Sequence, residues 1–155
     1  MELGVGKRFR DFVLGDFDSE TARKGHPLAV IVWKATCPVC RLALPFFDRL
    51  QAAYPAAAVV GVGQEPAEEV DRFAAELGLK FKQLSDAELK TSRRLGVAIV
   101  PSYWLVSASG DVLVSGEGWD RAKVEDVGKR LALATGTAEQ TIVTDADGVP
   151  AYRPG

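Results

Sequence analysis

The sequence predicts an α/β fold in which helices cover both faces of a central mixed β-sheet. Residues 28–33 form an apolar, β-branched run without alternation, which is typical of a strand buried on both faces of a parallel sheet. A similar run over residues 57–62 follows a segment with helical spacing, as expected for a parallel strand-helix-strand unit. The strand-like segments 102–106 and 112–115 flank a turn-rich linker, which predicts an antiparallel hairpin.

The first part of the chain is expected to lead into this sheet. Residues 1–27 have a mixed composition and should cover one side of the sheet, with Phe9 and residues 12–14 as a candidate short edge strand. After the first buried strand, a helix is expected from Cys37 to about Tyr54 because apolar residues recur at helical spacing. Its apolar face consists of Ala43, Phe46, Phe47, Leu50 and Tyr54.

Glycines and a proline bound the next two elements. Gly61 and Gly63 are expected to mark the end of the second parallel strand. Pro66 should open the following helix and Gly78 should end it, since proline suits the first helical position and glycine the position after the last. The apolar residues of this helix lie at i, i+3, i+4 and i+7, namely Val70, Phe73, Ala74 and Leu77.

The remaining elements are shorter or less regular. They are a strand over residues 81–84, a helix over 87–95 closed by Gly96, the hairpin described above, a helix over 119–134, an additional strand over 141–144 and a turn over 145–148. We therefore predict one domain over residues 1–155, with a core over about 9–134 and a C-terminal extension over 135–155.

The composition argues against several classes of partner. The 19 basic and 21 acidic residues nearly balance, so no field strong enough to recruit nucleic acid or an anionic membrane is expected. The longest apolar runs have about six residues, whereas a membrane-spanning helix needs about 20. The first residues lack the apolar core of a secretory signal. The chain as written is thus expected to be cytoplasmic, or extracytoplasmic if a signal or anchor originally preceded it.

Two cysteines separated by two residues, Cys37 and Cys40, stand where the first long helix begins. On a helix, side chains at this spacing place their Cβ atoms about 5 to 6 Å apart, so small adjustments would reach the ~3.8 Å of a disulfide. A purely structural disulfide is the alternative, but closing so short a loop would contribute only about 2 kcal/mol. The spacing therefore favours a bond that forms and breaks in a redox reaction.

The position of the pair suggests different roles for the two sulfurs. Unpaired amides and the positive end of the helix dipole should stabilise a thiolate at Cys37, and Lys34 adds a cation nearby. Pro38 suits the first helical position because it has no N–H to leave unpaired. Cys37 is then the attacking sulfur, and Cys40 the more covered resolving one. Zinc is disfavoured, because two cysteines and the lone His26 offer too few ligands.

Together these motifs resemble the thioredoxin superfamily, and within it the TlpA/ResA-like thiol-disulfide oxidoreductases of the redoxin (AhpC/TSA) type. The resemblance runs from about Phe9 to Leu133, and the additional strand and helix of that branch match Val59–Ser85. It depends on Trp33-Lys-Ala-Thr-Cys37-Pro-Val-Cys40 with Pro45 beyond it, on Gly96-Val-Ala-Ile-Val-Pro101-Ser-Tyr-Trp-Leu-Val, and on the Gly110-Asp hairpin. It implies a thioredoxin-like fold with a strand-helix insert between the two halves.

The resemblance also implies a substrate site. Pro101 matches the cis-proline of the family, which would turn the backbone of Val100 toward the cysteines and let it pair with an extended substrate. Trp33 matches an aromatic residue packed beneath the motif, and Thr36 lies beside the attacking cysteine. The substrate-binding residues are therefore expected to be Trp33, Thr36, Val100 and Pro101, with either Gly116 or Gly118 lining the groove.

The expected activity is thiol-disulfide exchange, more often in the reducing direction. It would need no organic cofactor and no metal, and would link a disulfide-containing protein substrate to an upstream thiol donor, with the enzyme as a monomer. The chain departs from the family at Ile31 and Ala43, where relatives often carry a buried acid. A peroxiredoxin-type peroxidase is one alternative, although Thr36 directly precedes Cys37 rather than standing three residues before it. A non-catalytic interaction module is the other.

Overall fold

The fold is organised around a five-stranded sheet with the strand order β5-β4-β3-β6-β7. The computed structural model describes all residues 1–155. The strands are β1 (Val13–Leu14), β2 (Phe17–Asp18), β3 (Leu28–Trp33), β4 (Ala58–Gly63), β5 (Lys82–Ser85), β6 (Ser102–Val106), β7 (Val112–Glu117), β8 (Trp119–Asp120) and β9 (Tyr152–Arg153). The helices are α1 (Ser19–Ala22), α2 (Pro38–Ala53), α3 (Ala67–Leu77), α4 (Lys90–Arg94), α5 (Arg121–Thr135) and a single 3₁₀ turn (Asp145–Asp147).

Strand β3 lies in the middle of this sheet, and all six of its residues are buried. It pairs in parallel with β4 and antiparallel with β6, so the predicted mixed sheet is confirmed. A strand that is buried on both faces gains from apolar side chains at every position. This explains why the run from Leu28 to Trp33 shows no alternation.

The two faces of the sheet carry separate apolar cores. On one face, Ala29, Ile31 and Trp33 pack with residues of α2, α3 and α5. On the other face, the alternate residues of β3 pack with Leu95 and with apolar residues of the N-terminal segment, namely Leu3, Phe9 and Phe12. Residues 1–27 therefore cover one side of the sheet, as predicted.

None of the helices combines the length and apolar character needed to cross a bilayer.

Three of the predicted details are wrong. The short strand near Phe12 is not an edge of the central sheet, because β1 pairs only with β2. Gly61 does not end its strand but lies within β4, opposite Ile31, whereas Gly63 is the last residue of β4, as predicted, and lies opposite Trp33. A side chain at Gly63 would come within 2.6 Å of the Trp33 ring, so glycine is present to make room for tryptophan.

The third error concerns residues 141–144, which form no strand. Ile142 and Val143 are buried against the core of the first face, and the carbonyl of Ile142 accepts a hydrogen bond from the Arg49 side chain at 3.0 Å. These residues are apolar because they cover α2 and α5, not because they join a sheet. The extra strand of the extension is instead β9, which pairs antiparallel with β8.

The extension is fastened along α2 by polar contacts. Arg49 forms an ion pair with Asp147 at 2.8 Å, and the Tyr54 hydroxyl accepts the Gln140 amide at 2.9 Å. The guanidinium of Arg49 is also the main cause of the lowered pKa of Asp147. Because residues 137–148 follow this path, the segment after them returns toward β8 and the carboxyl end of β3.

We expect Gly63→Ala to destabilise the protein by about 1 to 3 kcal/mol, because the added methyl group would force Trp33 or Val70 to move within a packed core. Urea unfolding of the reduced protein would measure the change. Gly4→Ala is a matched control, since a side chain at Gly4 meets nothing within 4 Å. Equal losses in the two variants would contradict this account of Gly63.

Candidate active site

The cysteine pair lies where β3 ends and α2 begins. Cys37 is the residue just before the first helical position, with an extended backbone, and Pro38 occupies that first position as predicted. The Cys37 amide donates to the Lys34 carbonyl at 3.2 Å, which closes the loop between strand and helix. The central strand and the longest helix therefore fix the position of Cys37 from both sides.

The Cys37 sulfur caps the helix. Its Sγ accepts the backbone N–H of Cys40 at 3.1 Å, a role that serine or aspartate oxygens usually fill at this position. The unpaired amides of the first turn and the helix dipole favour negative charge there. The thiolate is the form of cysteine that attacks a disulfide.

Cys40 lies one turn further into the helix and is completely buried. Burial raises the pKa of the Cys40 thiol, and a hydrogen bond with Cys37 raises it further. The residue Cys37, by contrast, is partly exposed. The two sulfurs thus differ in the sense predicted, with Cys37 accessible and Cys40 protonated inside the core.

A second loop brings Val100 against the attacking sulfur. The Val100–Pro101 peptide bond is cis, as predicted, and the Cys37 thiol donates a hydrogen bond to the Val100 carbonyl at 3.6 Å. The backbone N–H of Val100 has no hydrogen-bond partner within the chain. The loop therefore presents an unpaired backbone edge beside the cysteine.

The two candidate glycines, Gly116 and Gly118, have different surroundings in the structure. Gly118 donates its backbone N–H to the Pro101 carbonyl at 2.8 Å and has a positive φ of 75°, a conformation that favours glycine. Gly116 instead lies within β7 opposite Tyr103, where a side chain would strike the Tyr103 ring. Gly118 therefore lies next to Pro101, whereas Gly116 leaves room for Tyr103.

Trp33 supports the site from below. Its side chain is completely buried, stacks on Phe73 with ring centroids 4.9 Å apart, and donates from Nε1 to Gln83 Oε1 at 2.8 Å. Its expected position beneath the motif is correct, but it offers no surface that a substrate could touch. Thr36 is exposed beside Cys37, so its expected contact with substrate is sterically available.

Sequence reasoning missed two polar residues that hold this region. Glu65 Oε1 accepts the Ala35 amide at 2.9 Å and so fixes the loop before Cys37, and Gln83 orients Trp33. Both follow or belong to strands that end at the same edge of the sheet as β3. Parallel sheets bind their ligands at that edge. The position of Glu65 just after β4 could therefore have indicated, from the sequence alone, that this residue lies near the site.

Charged side chains of both signs line the α3 side of the cysteine loop. A cleft of about 200 Å³ adjoins the cysteine loop on the α3 side, lined by Ala35, Arg41, Glu69, Arg72, Phe73 and Glu76. Arg41 forms an ion pair with Glu76 at 2.8 Å and lies over the Phe73 ring. Because charges of both signs line the cleft, it favours neither acidic nor basic substrates.

The interior provides no carboxylate for Cys40. Ile31 and Ala43, the two positions at which the resemblance implied a buried acid, are both completely buried in the same core as Cys40. No group of three or more histidine, cysteine, aspartate or glutamate side chains is arranged to hold a metal ion. The ionisable groups at the centre of the site are thus the two thiols.

The model of the AhpC/TSA family matches residues 5–115. The chain belongs to this family. Among curated relatives, it is 29% identical over 118 residues to the thiol-disulfide oxidoreductase ResA of Geobacillus thermodenitrificans, covering 71% of this chain and 67% of that protein. It is 25% identical over 116 residues to ResA of Halalkalibacterium halodurans, covering 70% of this chain and 66% of that protein. It therefore spans about two thirds of the length of these relatives.

Solved structures of redoxins agree with this assignment. A Chlorobium tepidum protein, provisionally assigned as the thiol:disulfide interchange protein DsbE, is 26% identical with a TM-score of 0.75, covering 86% of this chain and 99% of that one. A Mycobacterium tuberculosis peroxidoxin, BcpB, is 16% identical with a TM-score of 0.68, covering 86% and 97%, and shares the fold alone. The named relatives and the paired cysteines make this AhpC/TSA member a thiol-disulfide oxidoreductase.

We expect the two cysteines to react with iodoacetamide in sharply different ways. Because burial raises the pKa of Cys40, the Cys40 thiolate should remain scarce well above the pKa of about 8.5 of a free cysteine. In a Cys37→Ser variant, the alkylation rate of Cys40 should therefore still be rising about tenfold per pH unit between pH 8 and 10. The matched Cys40→Ser variant should react faster at every pH. A Cys40 rate that levels off near pH 9 would count against the proposed burial effect.

Proposed function

We propose that this enzyme reduces disulfides of protein substrates, with Cys37 as the attacking and Cys40 as the resolving sulfur. The observation that carries the proposal is the environment of the Cys37 sulfur. It is partly exposed, accepts the Cys40 amide and lies 3.6 Å from the Val100 carbonyl. One face of the sulfur is thus held by the helix, while its other side is open to a substrate.

In the first step, the Cys37 thiolate attacks one sulfur of the substrate disulfide. The other substrate sulfur leaves with the electron pair of the broken bond and takes up a proton, and a mixed disulfide to Cys37 remains. In the second step, Cys40 loses its proton and displaces the substrate sulfur from Cys37. The products are a substrate dithiol and a Cys37–Cys40 disulfide, so two electrons and two protons reach the substrate in total.

An upstream thiol donor would then reduce the Cys37–Cys40 disulfide by the reverse sequence of exchanges. The chemistry balances between thiols and disulfides, so no organic cofactor or metal takes part. All of the groups named here come from a single chain, so the proposed reaction requires no second copy of the protein.

The loop at Val100 supports a protein as the substrate. An extended polypeptide can add to an unpaired backbone edge as a further strand, through its main-chain groups. The free N–H of Val100 and its carbonyl provide such an edge next to the attacking sulfur. Gly118 and Pro101 would line the same groove, and exposed Thr36 would flank it. A substrate strand lying there would place its own disulfide beside Cys37.

The missing interior carboxylate affects the second step. A buried acid could accept the proton of the resolving thiol, but Ile31 and Ala43 cannot. The departing substrate sulfur or water must then take the proton of Cys40. Since the pKa of Cys40 is raised, we expect resolution of the mixed disulfide to be the slower step near neutral pH.

The proposal predicts opposite behaviour for two serine variants in the reduction of insulin by dithiothreitol. Cys37→Ser should lower the catalysed rate by roughly two orders of magnitude or more, because the attacking atom is lost. Cys40→Ser should retain the first step and accumulate a mixed disulfide, visible by mass spectrometry as a covalent adduct. An adduct on Cys40 in the Cys37→Ser variant, with activity retained, would reverse the assigned roles.

The direction of the reaction can be decided by the reduction potential of the pair. A reductase predicts a value near the thioredoxin end of the range, about −270 mV, whereas an oxidase predicts one near the DsbA end, about −120 mV. We expect a reduction potential near the thioredoxin end of the range. Burial disfavours the Cys40 thiolate, and so removes one way of stabilising the reduced form of the enzyme. Equilibration with glutathione redox buffers, followed by tryptophan fluorescence, would measure it.

A further inference from the structure

The backbone edge assigned to substrate already has a polypeptide lying against it. Residues 152–155, called here the covering segment, begin as strand β9, which pairs antiparallel with β8. The backbone then passes Gly118 and reaches Val100, the two positions that line the groove beside Cys37. The chain therefore folds back over its own candidate substrate site.

Close contacts show how tightly the covering segment follows this groove. A Cβ atom at Gly118 would come within 2.5 Å of the Arg153 carbonyl and 3.0 Å of the Gly155 nitrogen. A Cβ atom at Gly155 would overlap the Val100 carbonyl and come within 2.8 Å of Ile99 Cγ2. Because Gly118 and Gly155 have no side chains, the backbone of the covering segment can lie directly against the backbone of the groove. The same Val100 carbonyl accepts the Cys37 thiol, so a single carbonyl group links the covering segment to the attacking sulfur.

The chain is held firmly just before the covering segment and weakly at the end of this segment. Just before it, the Pro150 carbonyl accepts Trp119 Nε1 at 2.6 Å, and the Ala151 carbonyl accepts the Arg121 amide at 3.0 Å. Pro154 has no N–H to donate, and the Gly155 amide makes no hydrogen bond. All four residues are exposed. The end of the covering segment can therefore swing away while residues 150 and 151 stay in place.

We propose that the groove between Val100 and Gly118 binds extended polypeptide, and that the covering segment occupies it until a protein substrate displaces it. This inference rests on the proposed function, because it concerns the same groove. The Val100 edge can accept one strand at a time. An occupant tethered to the same chain acts at a high effective concentration. The apparent affinity for substrate is then the intrinsic affinity multiplied by the fraction of time that the groove is free.

The covering segment should affect the reduction of two classes of substrate differently. A small disulfide needs only access to Cys37, and this residue is partly exposed while the covering segment is in place. A protein disulfide in an extended segment needs the Val100 edge as well, and must compete for it. The covering segment would therefore slow reduction of protein disulfides and leave reduction of small ones almost unchanged.

The variant Gly155→Val tests this selectively, because its side chain would overlap the Val100 carbonyl and expel the end of the covering segment. We expect kcat/KM for insulin to rise about three- to tenfold, while the rate with 2-hydroxyethyl disulfide changes less than twofold. Gly4→Val is the matched control, since it adds the same side chain where nothing lies within 4 Å, and it should leave both rates unchanged.

A second measurement follows the covering segment directly. In a Cys40→Ser background, Cys37 is joined by a mixed disulfide either to the insulin B chain or to a methylthio group. Hydrogen exchange at the amides of Tyr152 and Arg153 should be at least fivefold faster in the insulin adduct, because the B chain takes the place of the covering segment. Equal exchange in both adducts would overturn the proposed displacement.

The outcomes separate this inference from the function on which it rests. Insulin reduction at equal rates by the wild type and Gly155→Val would overturn the role of the covering segment and leave the reductase intact. Reduction of the small disulfide alone, with no insulin reduction by any variant, would overturn the protein-disulfide function and the groove together.

Discussion

The site depends on one hydrogen bond, from the Cys40 amide to the Cys37 sulfur at the start of α2. It exists only because β3 delivers the chain to the helix with Cys37 one residue outside it. A one-residue shift would place the sulfur inside the first turn, away from the unpaired amides that favour negative charge. The complete burial of β3 and its pairing on both edges hold that register in place.

The same helix gives the two sulfurs different chemistry. Cys37 lies at the N-terminus of the helix and is partly exposed, whereas Cys40 is buried in the same core as Ile31 and Ala43. Burial raises the pKa of Cys40, so the proposed order of reaction rests on the positions of the two residues. A difference of one pKa unit corresponds to about 1.4 kcal/mol, so modest differences in environment can separate the proposed roles.

The proposed substrate groove beside Cys37 combines parts of the chain that are far apart in sequence. The loop before α2 provides Cys37, the loop before β6 provides Val100 and Pro101, and the turn between β7 and β8 provides Gly118. The extension then adds the covering segment, which it can reach because Arg49 and Tyr54 hold residues 140–147 along α2. The C-terminal extension thus contributes to the site itself, although it lies outside the part of the chain that matches the family.

Local patterns in the sequence determined the central strand, the long helices and the cysteine motif, whereas the resemblance to a known family implied the cis-proline loop. They could do so because periodicity, proline, glycine and cysteine spacing each act within one element or within one turn. Tertiary packing decided what those patterns leave open: that Gly63 makes room for Trp33, that residues 141–144 cover helices, that Glu65 fixes the loop before Cys37, and that residues 152–155 lie on Val100. Each of these joins residues distant in sequence, and such contacts depend on how whole elements pack together, which no single segment encodes.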